Sequence, residues 1–147
     1  MISILTPTPN EFSIIKNVFV PITKCDRQVY TCHIPNVTLM KCGIGKTISS
    51  ANTQFIIDHY QPNLIILFGF ACSLVVQCKL GDIVIGNEFE EHDVLSQTPF
   101  FKKIQSNSKS IKKFSSLLRV YDFTDFHVGK IISGDQDIAS THQKEML

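Results

Sequence analysis

The spacing of apolar positions changes several times along the chain, and each change predicts an element. Ile2 to Leu5 is a short apolar run, a buried strand stopped by Thr6-Pro7-Thr8-Pro9. Asn10 stands where it can cap a helix from Glu11 to about Val18. Gln28 to Ile34 alternates, Pro35-Asn36 turns the chain, and Val37 to Cys42 follows, a hairpin-like pair of strands. From Lys46 to Tyr60 the apolar residues Ile48, Ala51, Phe55 and Ile56 recur on one helical face, and Pro62 ends the pattern. Asn63 leads into Leu64 to Phe68, the longest apolar run and a buried strand. Gly81-Asp82 opens the strand Ile83 to Glu88. The chain turns polar from Ser96 to Lys113, a surface excursion followed by a helix through Leu118. Val128 to Ile132 is another buried strand, ended by Ser133-Gly134-Asp135.

Strand, glycine turn, helix, buried strand and second glycine turn, read from Leu39 to Asp93, build an open α/β sheet. In such sheets the carboxyl ends of the strands form a small-molecule crevice. A chain of 147 residues is expected to fold as one domain spanning residues 1–147. With 44% hydrophobic and 18% charged residues its composition is globular rather than disordered. Lysine and arginine total 14 against 13 acidic residues, so no global field collects nucleic acid. No apolar run reaches membrane-spanning length. The cysteines Cys25, Cys32, Cys42, Cys72 and Cys78 are odd in number and form no CxxC pair. With no signal peptide pattern, they read as reduced, mostly buried thiols of a cytoplasmic protein.

Several residues invite a chemical reading, each beside a commoner structural one. Gly45-Lys46-Thr47 suggests a phosphate loop, but that loop needs a glycine five residues before Gly45, where Met40 stands. A tight turn before a helix, or a turn that lets a ligand close to the backbone, fits better. Glu11 lies just past the first strand, where a carboxylate can serve as general base. Alone, it is more often a first-turn acid favoured by the helix dipole. Gly69-Phe70-Ala71-Cys72-Ser73 follows the most apolar strand; its small residues let a ligand approach, while its structural role is a bend packing Phe70 inward. His92-Asp93 is either a pair or a strand-end cap. The histidines show no metal spacing such as HExxH. The lysines between Lys102 and Lys113 fit a solvated helix face better than an interaction patch.

Taken together, these segments resemble the nucleoside phosphorylase/nucleosidase superfamily, in particular its 5′-methylthioadenosine/S-adenosylhomocysteine nucleosidase branch. The resemblance is carried by Glu11 after the first strand, the turn Lys41 to Lys46 (KCGIGK), and Pro62-Asn63 before the strand ending at Gly69. It continues through Gly81 to Ile85 (GDIVI), His92-Asp93 and Ser133 to Asp135 (SGD). It implies a mixed, twisted sheet flanked by helices, and cleavage of a purine nucleoside N-glycosidic bond through an oxocarbenium-like transition state. It implies that Glu11 orients or deprotonates the attacking water. Ile44 and the turn Phe70-Ala71-Cys72 would border the substrate, and Asp137-Ile138 would lie along the purine. It implies a homodimer whose partner subunit supplies apolar side chains to the 5′ end of the site, the region of Phe100 and Phe101. It implies no metal or organic cofactor. Hydrolysis is favoured over phosphorolysis, because phosphate is held by arginines and neither Arg27 nor Arg119 lies at a strand-end turn.

The chain also departs from the family pattern. Phe70 stands where relatives usually have a small hydroxyl residue, and Asp137 where many stack an aromatic on the purine. It carries no counterpart of the family's acidic-methionine-acidic ribose segment or of the later aspartate that protonates the purine. The resemblance therefore implies a C-terminally incomplete member. Three outcomes stay open: an active nucleosidase, a hydrolase of another purine nucleoside such as futalosine, or an inactive member with a binding or assembly role. An incomplete sheet would leave an open edge and an apolar patch. The purified chain is therefore expected to self-associate or aggregate; sedimentation showing a soluble monomer that unfolds cooperatively would contradict this.

Overall fold

A computed structural model describes residues 1–19, 22–26, 28–93, 104–136, 138, 140 and 143–144. The α/β class expected from the sequence is the class observed. The chain divides into two compact units, Met1–Ala71 and Cys72–Leu147, each with its own sheet. Among the described residues no helix is long and apolar enough to cross a membrane.

The first unit runs β1 (Ile2–Thr6), α1 (Pro9–Val18), β2 (Ile22–Asp26), β3 (Val29–Cys32), β4 (Val37–Lys41), α2 (Lys46–Tyr60) and β5 (Leu64–Leu67). Its sheet has the order β2-β3-β4-β1-β5. β1 is parallel to β4 and β5, with Ile4 opposite Leu39 on one side and Ile66 on the other. β3 is antiparallel to both β2 and β4, and Asn36 makes the β3–β4 turn at φ 63. Alternation along β1 and β4 divides the core. Leu5 and Met40 pack with Val29, Cys42 and the α2 residues Phe55 and Ile56. Ile4 and Leu39 pack with the α1 residues Phe12 and Ile15. The two helices therefore cover opposite faces of the parallel strands.

Local details correct the sequence reading. Thr8, not Asn10, caps α1, and Pro9 sits at the first helical position, where its missing N–H costs nothing. Ile48 and Ala51 do not join the core face of α2: Ile48 is 56% exposed and lies against the Gly43 turn, leaving Phe55 and Ile56 as the buried contacts. β5 is only half-buried, with Leu67 61% exposed. Only Cys42 of the five cysteines is buried; Cys25 and Cys72 are exposed, Cys32 and Cys78 half-buried, and all five are free.

The second unit runs β6 (Ile83–Glu91), β7 (Ile104–Gln105), α3 (Ser108–Val120) and β8 (Phe126–Ser133). Its sheet order is β7-β6-β8, with β6 parallel to β8 and antiparallel to β7. Asn107 caps α3 by accepting from the Lys109 and Ser110 amides, and no residue of this amphipathic helix is buried. β8 is longer than its apolar stretch suggests, and Val128 is exposed rather than buried. Asp82 joins the starts of β6 and β8. Its Oδ2 accepts from the Lys79 amide (2.8 Å) and lies 2.8 Å from His127 Nε2. The Lys79 amide, then His127, hold the Asp82 carboxyl below its ordinary value of 3.8.

A carboxylate held ionised in the fold contributes stability above its unfolded pKa and loses it as pH falls through the folded one. Asp82→Asn should therefore unfold at lower urea than the parent near pH 6. The difference should close as pH falls through the lowered titration of Asp82 in the folded protein. A gap that persists at low pH would show that the ionised form does not carry the contribution.

Candidate active site

The carboxyl ends of β1, β4 and β5 lie side by side, and pairing continues just beyond the strands. Cys42 N donates to Thr6 O (2.9 Å) and Phe68 N to Leu5 O (2.9 Å). Over this edge the first turn of α1 places Glu11, only 4% exposed. Its carboxylate accepts three hydrogen bonds. The Thr8 amide and the Thr8 hydroxyl donate to Oε2 at 2.7 and 2.6 Å, and the Phe70 amide donates to Oε1 at 2.8 Å. The Thr8 hydroxyl in turn accepts from the Glu11 amide at 3.2 Å, completing a reciprocal cap.

The chain after β5 is shaped by this carboxylate. A Cβ on Gly69 would lie 2.7 Å from Glu11 Oε1 and 3.3 Å from its Cδ, so glycine permits the approach. Phe70 is held by its amide, while its side chain is 74% exposed. It is not packed inward. Beside Glu11, burial raises the Cys42 thiol above its ordinary value; a hydrogen bond with the Ser49 side chain opposes this, and the Glu11 charge adds a smaller push upward. Thr6 Oγ1, at the end of β1, is buried with no hydrogen-bond partner among the described residues.

Ile44 is 71% exposed on the turn after β4, between Gly43 and Gly45, both at φ 90. Asn52 Nδ2 donates to Cys42 O at 2.9 Å and fixes this turn to α2. Gly45 caps α2 without a side-chain hydrogen bond, in keeping with a tight turn. Thus Glu11, Gly69 and the Phe70 amide meet, and Ile44 stands on a neighbouring turn at the same edge of the sheet. Ala71 and Cys72 are exposed, and Ile138 is half-buried within the second unit. Phe100, Phe101, Asp137 and Arg27 lie outside the described residues.

In the second unit His92-Asp93 and the Ser133-Gly134-Asp135 turn come together at the ends of β6 and β8. His92 N donates to Ser133 O (3.0 Å) and Asp135 N to Asp93 Oδ2 (2.7 Å). A Cβ on Gly134 would collide with the His92 ring and lie 2.9 Å from Asp93 Cγ. These contacts make His92-Asp93 a strand-end clasp. Among the described residues no group of three His, Cys, Asp or Glu side chains is placed to hold a metal ion.

A family model described as the phosphorylase superfamily matches residues 2–147. The chain belongs to the phosphorylase superfamily. It is 27% identical to the 5′-methylthioadenosine/S-adenosylhomocysteine nucleosidase of Staphylococcus aureus, an alignment covering all of this chain and 70% of that one. Two solved structures share its fold. One is the corresponding nucleosidase of Neisseria meningitidis in complex with methylthio-immucillin-A, at TM-score 0.88 and 22% identity, covering 98% of this chain and 68% of that one. The other is a futalosine hydrolase mutant of Helicobacter pylori, at TM-score 0.88 and 21% identity, covering 99% and 72%. The superfamily resemblance read from Glu11, the glycine turns and the SGD segment is thereby established.

Two contributors escaped the sequence reading. Thr8 was legible as Thr-x-x-Glu, the capping-box signature, which the choice of Asn10 as cap obscured. Gly69 as the seat of the carboxylate depends on the Glu11–Phe70 contact, across 59 positions, that no local pattern reveals. Gly69→Ala should lower stability by about 1–3 kcal/mol through overpacking against Glu11. Gly129→Ala, whose Cβ meets nothing within 4 Å, should leave it unchanged or slightly higher. Thermal unfolding of both compares them directly; equal effects would refute the close approach.

Proposed function

We propose that the chain hydrolyses the N-glycosidic bond of a purine nucleoside of the 5′-methylthioadenosine/S-adenosylhomocysteine kind, with Glu11 as the water-activating base. The observation that carries this is the buried Glu11 carboxylate, oriented by three donors at the carboxyl ends of three parallel strands. The named relatives support the substrate class.

Water adds to the anomeric carbon as the C–N bond breaks, and the bonding pair leaves with the purine. The water proton passes to Glu11, the purine takes a proton from solvent, and Glu11 returns its own to solvent. Ile44, Phe70, Ala71, Cys72, Asp137 and Ile138 are assigned to the nucleoside. Phe100 and Phe101 are assigned to the 5′ end of a second copy's site, in a cytoplasmic homodimer. Water rather than phosphate is the acceptor, because a phosphate dianion needs fixed cationic donors. Arg119 belongs to α3, with its guanidinium 5.6 Å from the Phe126 ring centroid.

A second reading, a catalytically inert member, is favoured by one observation. Phe70 presents an exposed ring where the family resemblance implies a small hydroxyl residue. Adenine release from 5′-methylthioadenosine by the purified chain separates the two. Glu11→Gln should lower the rate by on the order of a hundredfold to ten-thousandfold. No release from folded parent protein would favour the inert reading, and release unaffected by Glu11→Gln would remove Glu11 from the chemistry. Futalosine in the same assay tests the neighbouring substrate.

A further inference from the structure

A carboxylate offers about four lone-pair positions, two on each oxygen. At Glu11 the two on Oε2 are taken by the Thr8 amide and the Thr8 hydroxyl, and one on Oε1 is taken by the Phe70 amide. Among the described residues one position is left, on Oε1. Two of the three donors are backbone amides, set by the fold. The Thr8 hydroxyl is the one side-chain donor of the three. Its proton must point to Oε2, because an ionised carboxylate only accepts and Thr8 Oγ1 already accepts from the Glu11 amide. A helix cap needs the hydroxyl only as an acceptor. Its donation at 2.6 Å is therefore additional to capping.

We propose that Thr8 is a positioning residue: its hydroxyl saturates Glu11 Oε2, so that Oε1 alone takes the proton of the attacking water. This rests on Glu11 being the water-activating base. Without the hydroxyl, Oε2 regains an open position, the carboxylate loses one of its three tethers, and a proton can be drawn to either oxygen. The nucleoside itself is not held by this contact, so the effect belongs in kcat.

The test is adenine release from 5′-methylthioadenosine by the parent chain, Thr8→Val and Thr8→Ser, each assayed well below its own unfolding temperature. Thr8→Val keeps the shape and deletes the donor. It should lower kcat by on the order of tenfold to a hundredfold, as misplaced catalytic groups do, with KM changed by less than about twofold. Thr8→Ser should recover most of the lost kcat. A parental kcat in Thr8→Val, or a loss confined to KM, would overturn the assignment, as would failure of Thr8→Ser to recover kcat. Proton NMR of the unliganded parent gives a reading that needs neither turnover nor a folded Thr8→Val. A hydroxyl proton bound to a carboxylate in a buried site should appear as a slowly exchanging, downfield resonance with cross-peaks to Thr8. Its absence would overturn the clamp. If the resonance is present and the parent releases no adenine, the clamp stands while the functional reading and the proton-accepting role of Oε1 fall together.

Discussion

The first unit is organised around one buried charge. A carboxylate removed from water is tolerated where donors replace its hydration, and Glu11 has three. They come from two places far apart in sequence: Thr8 opens α1, and Phe70 follows β5. The same group therefore begins a helix and fixes the path of the chain leaving a strand. Gly69 is a consequence, since any side chain there would occupy the space of Oε1.

Around this charge the parallel strands β4 and β1 bury side chains on both faces, with α1 on one and α2 on the other, while β5 is half-buried. Inside the strands the buried Ser3 and Thr38 hydroxyls satisfy each other at 2.8 Å, while at the strand ends lie Glu11 and the Thr6 hydroxyl, which has no partner among the described residues. The second unit uses carboxylates differently. Asp82 ties His127 at the start of the β6–β8 pair, and Asp93 ties the Asp135 amide at its finish. Because those strands are parallel, one acid fastens each end of the ladder.

Much of this was legible in the sequence. The helix Lys46–Tyr60 matched its expected bounds because its glycine start and proline stop are local signals. The Pro35-Asn36 turn and its flanking strands were legible for the same reason. β2 was not, because Thr23, Lys24 and Cys25 are all exposed on an edge strand and leave no alternating pattern. The burial of cysteines was overestimated, since chemistry alone does not say which thiol faces a sheet; only Cys42, at the end of a central strand, does so fully. In the site, Glu11 could be singled out from its place after a strand. What makes it a defined group, the Phe70 amide and the Gly69 gap, is tertiary and had no local signature.

The shared hydrogen bonds at Glu11 bear on how such a protein ages in evolution. Losing the Glu11 carboxylate breaks the returning half of the capping box, the bond from the Thr8 amide, whatever the protein does. It also strips the Thr8 hydroxyl and the Phe70 amide of their acceptor. A descendant that had lost all use for catalysis would still be selected to keep this glutamate for the sake of its fold. The residue therefore serves architecture as much as chemistry, and an alanine at this position would mix the two in a single measured loss.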